Sequence, residues 1–246
     1  MKIKLVVSYD GTNYCGWQRQ KNALSIQEVL EDALFNVCGQ KITVTASGRT
    51  DAGVHAEGQV VSFDYQGSIP AERFFLALNS NLPDDIRVLS SSREDDGFNA
   101  RKSAKKKTYS YSFYLSKTAL PMKDRFALHL EKEPNFNLME EAKSFLVGKH
   151  DFKAFCATKS SVKSTERIIY SIDLVKGENY FEIVVCGNGF LYNMVRIIAG
   201  TLLDVGYQKK NVEDIKKALE TGKREYLSKT LSPKGLKLKE VEYTNS

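Results

Sequence analysis

Arg49, Asp51 and His55 fall within seven positions of one glycine-flanked stretch, Gly48-Arg-Thr-Asp-Ala-Gly-Val-His-Ala56. A carboxylate held at a fixed angle over a cleft can attack an electrophilic carbon. Gly48 and Gly53 allow backbone conformations that other residues resist. The stretch is too long for a tight hairpin turn and too rich in glycine for a helix. It lies between two strand-like runs, residues 42–46 and 59–65. Taken alone, an Arg-x-Asp loop is more often solvated surface with local pairing than a site, because loops are usually polar without doing chemistry.

The elements that must position this stretch follow from periodicity. Ile3, Leu5, Val7 and Tyr9 alternate as a strand. Tyr14 and Trp17 follow in a polar, aromatic loop, which reads equally as a cover over a core or as a base-stacking surface. Ser25-Ile-Gln-Glu28 is a capping box opening a helix whose apolar face is Val29, Leu30, Ala33, Leu34 and Val37, with Gly39 as its end cap. Pro70 suits the first turn of another helix, and Ile86, Val88 and Leu89 suggest a strand.

Residues 105–115 form the clearest strand pattern, with Tyr109, Tyr111 and Phe113 on one side and Thr108, Ser110 and Ser112 on the other. Further on, the spacing predicts a helix over 138–147, a hairpin from 168–175 and 180–186, a nearly all-apolar helix over 191–205, a shorter helix over 211–219 and a last strand near Leu236, Leu238 and Val241. The boundary is set near residues 100–105, giving halves 1–103 and 104–246. The expectation is an α+β protein: two similar halves sharing a mostly antiparallel sheet, helices on the outer face, and an active cleft between the halves.

Of 246 residues, Lys and Arg number 36 against 30 Asp and Glu, a modest excess. Its clustering is sharper: Arg101-Lys-Ser-Ala-Lys-Lys-Lys107 holds five basic residues in seven, including Lys105, Lys106 and Lys107. Lys159, Lys163 and Arg167 make a second basic stretch. Such patches fit a polyanion such as nucleic acid, although a charge run alone is usually a solvated face. Cys15, Cys38, Cys156 and Cys186 are widely spaced and form no zinc or redox motif, and Cys38 and Cys186 read as small core residues. The start of the chain does not read as a signal peptide, and no apolar run approaches membrane-spanning length, so an intracellular, cytoplasmic protein is expected.

One further residue is out of place. Arg196 stands inside the apolar run Met194-Val-Arg-Ile-Ile-Ala199. A buried guanidinium is costly unless paired and hydrogen-bonded. It can snorkel to the surface, pair with a structural carboxylate or bond loop carbonyls. It can also answer another need: a carboxylate nucleophile in a dry pocket requires a nearby cation, or burial leaves it protonated. Asp51 and Arg196 match in this respect.

The central stretch resembles the Gly-Arg-Thr-Asp-x-Gly-Val-His-Ala signature of the tRNA pseudouridine synthase A (TruA) family. The likeness extends to Tyr9-Asp-Gly-Thr-x-Tyr-x-Gly-Trp-Gln18, Phe98-x-Ala-Arg101, His150-Asp-Phe152 and Gly189-Phe-Leu-x-x-Met-Val-Arg196. Asn99 departs from it, since members often carry His there. The resemblance implies isomerisation of uridine to pseudouridine at tRNA positions 38, 39 and 40 in the anticodon stem-loop, by a homodimer, with no cofactor and no metal. It makes Asp51 the nucleophile, attacking the sugar C1′ or the base C6. Tyr109 would stack on the target base and could help move the C5 proton, Arg196 would hold Asp51 ionised, and Arg49 would pair with Asp51 or fill the gap left by a flipped base. His55 reads as a loop-bonding residue.

Two other readings compete. A base-excising hydrolase would take a second carboxylate, for which Glu57 and Asp64 are available but carry no motif. An RNA-binding protein without chemistry would leave the Asp51, Tyr109 and Arg196 set unexplained.

Overall fold

The computed structural model describes residues 1–157 and 164–243. Lys159 and Lys163 therefore lie outside the described residues. Two compact units emerge, one of Met1–Lys105 with the chain from Lys237 onward, the other of Lys106–Leu236.

In chain order the first unit contains β1 (Lys2–Tyr9), α1 (Ile26–Cys38), β2 (Thr45–Ala46), β3 (His55–Asp64), α2 (Phe74–Asn79) and β4 (Ile86–Glu94). The second contains β5 (Lys106–Leu115), α3 (Pro121–Asp124), β6 (Leu128–Leu130), α4 (Phe136–Ser144), β7 (Gly148–Asp151), β8 (Glu166–Gly177), β9 (Tyr180–Gly187), α5 (Met194–Gly206) and α6 (Val212–Thr221). The final strand, β10 (Leu236–Glu242), runs parallel to β3, with Lys237 opposite His55 and Leu238 opposite Ala56. That pairing is why the chain from Lys237 groups with the first unit rather than with the residues that precede it. The class is α+β, and within each unit the strand pairs are antiparallel except β3 with β10 and β5 with β6.

In the first unit β1 lies between β3 and β4. Ile3, Leu5, Val7 and Tyr9 all face inward, as alternation requires. Trp17 is 2 % exposed and Tyr14 is buried too, so the aromatic loop covers the core. Ser25 caps α1 by accepting from the Glu28 N–H, while the Glu28 carboxylate turns to Arg19 at 3.3 Å. Gly39 closes the helix in the left-handed region, φ 68°. The strand expected over 42–46 shrinks to Thr45–Ala46, because the Val44 N–H donates to the buried Glu31 carboxylate at 3.2 Å instead of to a ladder. Conversely, β3 starts at His55, so the end of the signature stretch is strand rather than loop.

In the second unit β9 pairs with both β5 and β8. The helix α5 begins at Met194, with Asn193 at φ 63° before it, and eleven of its thirteen residues are buried. Both sides of β5 are covered: Thr108, Ser110 and Ser112 are buried along with the aromatics. Ser112 meets that cost by donating to the Glu182 carboxylate at 2.8 Å. Cys38 and Cys186, expected in the core, are half-buried, because each lies near the end of its element.

Phe181 on β9 stacks on Phe113 of β5, centroids 4.6 Å apart, and meets Phe136 of α4 edge-on at 5.0 Å. It ties strand to strand and sheet to helix. Phe181→Ala is expected to cost about 3–5 kcal/mol by cavity formation, read as a lower urea midpoint with an unchanged slope. An unchanged midpoint would remove this cluster as the second unit's anchor.

Candidate active site

The candidate nucleophile sits in a loop whose backbone is built into its neighbours. The Trp17 N–H donates to the Thr50 carbonyl at 3.0 Å, and the Gly53 N–H to the Tyr14 carbonyl at 3.3 Å. Within the loop, the Val54 N–H returns to the Asp51 carbonyl at 3.1 Å. These contacts need two glycines. At Gly16, φ 96°, a Cβ would come within 2.6 Å of the Thr50 carbonyl oxygen, and at Gly11 a Cβ would overlap the Val54 carbonyl. The block from Tyr9 to Trp17 is thus the bed on which residues 50–54 lie.

Polar side chains complete the anchor. His55 is 6 % exposed, and its Nδ1 is 3.1 Å from both the Gly11 N–H and an Asp10 carboxylate oxygen. Without a proton, that nitrogen accepts from Gly11; with one, it donates to Asp10. Tyr9 Oη and Thr50 Oγ1 are 2.8 Å apart in the core. Gln59, fully buried on β3, accepts from Ser47 Oγ at 2.7 Å and donates to the Gly48 carbonyl at 3.0 Å. Periodicity passes over Gln59, which stands in a strand that also carries His55, Glu57, Ser62 and Asp64, so no signal in the sequence marks it.

Asp51 itself is half-buried, and Arg49 is exposed. Both belong to the first unit, as does Lys105, whose N–H donates to the Glu242 carbonyl at 2.8 Å. Asn99 uses its side-chain oxygen to accept from the Arg101 and Lys102 N–H groups at 3.0 and 2.9 Å, shaping the turn that begins the basic run.

The second unit carries Tyr109, Arg196, Lys106 and Lys107. Tyr109 is 9 % exposed on β5, and the Phe190 ring meets it edge-on at 5.2 Å. Lys106 and Lys107 are half-buried, with the Lys106 ammonium 5.8 Å from the centre of the Tyr170 ring. Arg196 is half-buried on α5; its Nε donates to the Leu231 carbonyl and its Nη1 to the Asn193 side chain, each at 2.7 Å. Of the outcomes foreseen for this guanidinium, bonding to a loop carbonyl is therefore realised. Gly200 makes that possible, since a Cβ there would lie 2.7 Å from the Lys229 carbonyl oxygen and push segment 229–231 away. The Arg196 charge also reaches Tyr111, opposing the burial that pushes that phenol's pKa upward.

Comparison with known proteins settles the family. The family described as "tRNA pseudouridine synthase" matches residues 5–101 and 142–244. The tRNA pseudouridine synthase A of Bacillus subtilis (strain 168) is 45% identical over all of both chains. Those of Thermoanaerobacter sp. (strain X514) and Clostridium botulinum (strain Eklund 17B / Type B) are 44% and 43% identical, over 98% of this chain and 99% of theirs.

The chain belongs to the tRNA pseudouridine synthase A family.

It is an isomerase acting on uridine in tRNA, which sets aside the base-excising and chemistry-free readings. Among solved structures, a Cbf5-Nop10-Gar1 complex overlaps at a TM-score of 0.39 and 11% identity, over 96% of this chain and 48% of that one, a likeness too slight to bear on the site. No helix among the described residues is long and apolar enough to cross a membrane.

Two positive-φ glycines separate the roles of strain and close approach. Gly39 has open space around it, whereas Gly16 does not. Gly39→Ala is expected to lose only about 1 kcal/mol of stability and no activity. Gly16→Ala is expected to lose about 1–3 kcal/mol and most pseudouridine formation in the protein that remains folded. Equal activity in the two variants would contradict the bed-and-loop arrangement.

Proposed function

We propose that this synthase converts uridines at positions 38, 39 and 40 of the tRNA anticodon stem-loop, with Asp51 as nucleophile. The observation that carries the reading is the anchored loop, which offers one carboxylate on a backbone that cannot drift. Asp51 attacks either the sugar C1′ or the base C6. The N1–C1′ bond breaks, the base turns, C5 bonds to the same C1′, the bond from Asp51 to carbon breaks to restore the carboxylate, the C5 proton leaves and N1 gains one. No electron donor or group donor is needed for that balance.

Tyr109 stacks on the target base, and its place on a strand that starts with Lys106 and Lys107 supports a base-binding role. Arg196 serves as the cation that keeps Asp51 ionised in a dry site, and Arg49 pairs with Asp51 or takes the space left by the extruded base. A paired uridine must be flipped out, at a cost of a few kcal/mol. Phosphate contacts from Lys105, Lys106 and Lys107 offset it. The working form is a cytoplasmic homodimer in which one tRNA reaches both subunits, and no cofactor or metal takes part.

The test is Asp51→Asn, which keeps the shape of the side chain but cannot form the adduct. Tritium release from tRNA labelled at uridine C5 should fall to background, while tRNA affinity stays within about threefold. Turnover above background, with deamidation excluded, would remove Asp51 from the nucleophile's role.

A further inference from the structure

Beneath the Asp51 loop runs a chain of hydrogen bonds that joins Ser47, Gln59, Tyr9 and Thr50. The Gly48 carbonyl can only accept, so the Gln59 Nε2 must be the group facing it at 3.0 Å. That choice turns Gln59 Oε1 toward Ser47, whose hydroxyl donates to it at 2.7 Å. The same Nε2 lies 3.5 Å from Tyr9 Oη, a long contact in which the amide can only donate. Burial pushes the Tyr9 phenol up to about 12, against the opposing pull of its bonds to Thr50 and Gln59, so it keeps its proton at neutral pH. Tyr9 Oη and Thr50 Oγ1 share a hydrogen bond at 2.8 Å in which either hydroxyl can donate.

Thr50 is thereby held twice, by its side chain from Tyr9 and by its carbonyl from Trp17. It immediately precedes Asp51 and is itself buried. Rotation about the bonds joining the two residues would break one of those holds. Tyr9, Thr50 and Gln59 are all buried within the first unit, so they act through the loop.

We propose that Tyr9, Gln59 and Thr50 are positioning residues for the isomerisation, forming a hydrogen-bonded relay that fixes the approach of the Asp51 carboxylate. This rests on Asp51 being the nucleophile. Tyr9 is ordinarily counted as a core aromatic of β1, but its hydroxyl has a separate task. The carbon skeleton of the ring fills the core; the oxygen sets the loop.

The experiment measures single-turnover rates and tRNA dissociation constants for full-length Tyr9→Phe, Thr50→Val, Thr50→Ser and the Tyr9→Phe/Thr50→Val double variant, beside Asp51→Asn. Urea unfolding identifies the folded fraction to which each rate refers. Tyr9→Phe and Thr50→Val should each slow the reaction by about tenfold to hundredfold, since small misplacement of a reacting group is that costly. Affinity should remain within about twofold, because neither residue faces the RNA. Thr50→Ser keeps the hydroxyl and should retain its rate. The double variant should be no slower than the slower single variant, since both remove one bond. Rates near wild type, additive losses or an equally slow Thr50→Ser would each overturn the relay. Should Thr50→Val fail to fold, Tyr9→Phe removes the other partner of the same bond and carries the test. An inactive Asp51→Asn beside a fast Tyr9→Phe sinks the relay alone, whereas an active Asp51→Asn sinks the nucleophile beneath it.

Discussion

Everything proposed for the first unit depends on the fit of residues 50–54 against residues 11–17. Gly11 and Gly16 leave no room for a side chain, and the Trp17 and Gly53 N–H groups bond across the join. Losing either glycine forces apart two backbones whose polar groups are paired, and an unpaired buried group costs about 1–3 kcal/mol. The loop consequently behaves as part of the core. That is what a nucleophile requires, since its orientation must be settled before the substrate arrives.

β3 shows how that fit is tied to the sheet. Its first residues, His55 and Ala56, pair with β10, and its later ones, Val61 and Ser62, pair with β2 on the same edge. On its other side it pairs with β1 along most of its length. His55 and Gln59 therefore leave a strand that is held on both sides, and each reaches back to the signature loop or its bed. A loop fastened by side chains from a central strand inherits the rigidity of that strand. In the second unit Arg196 has a comparable fastening, with its guanidinium bonded to Leu231 and Asn193 and its helix packed closely on segment 229–231 through Gly200.

Much of this was legible in residue order, and the reasons are local. Alternation in β1 is a periodic signal that tertiary structure did not override; in α1 the apolar stripe holds for Leu30, Ala33 and Leu34, while Val29 and Val37 are half-buried and Gln27 and Glu31 are buried. Asp51 stands out as a candidate because it shares one glycine-flanked nine-residue stretch with an Arg and a His. The short β2 was not legible, because the Glu31 carboxylate that takes the Val44 N–H lies 13 residues away in sequence. Nor was the burial of Ser110 and Ser112, since alternation reports polarity and not what covers a face. Gln59 was hidden for the opposite reason: its partners, Ser47 and Gly48 on one side and Tyr9 on the other, come from two segments that only the fold brings together.

The most direct test of the central claim is to incubate the wild-type protein with unmodified tRNA and map pseudouridine by chemical sequencing. The account predicts new pseudouridine confined to positions 38, 39 and 40, with every base retained in the RNA. Pseudouridine at other positions alone would contradict the assigned target, and release of free uracil would contradict isomerisation itself.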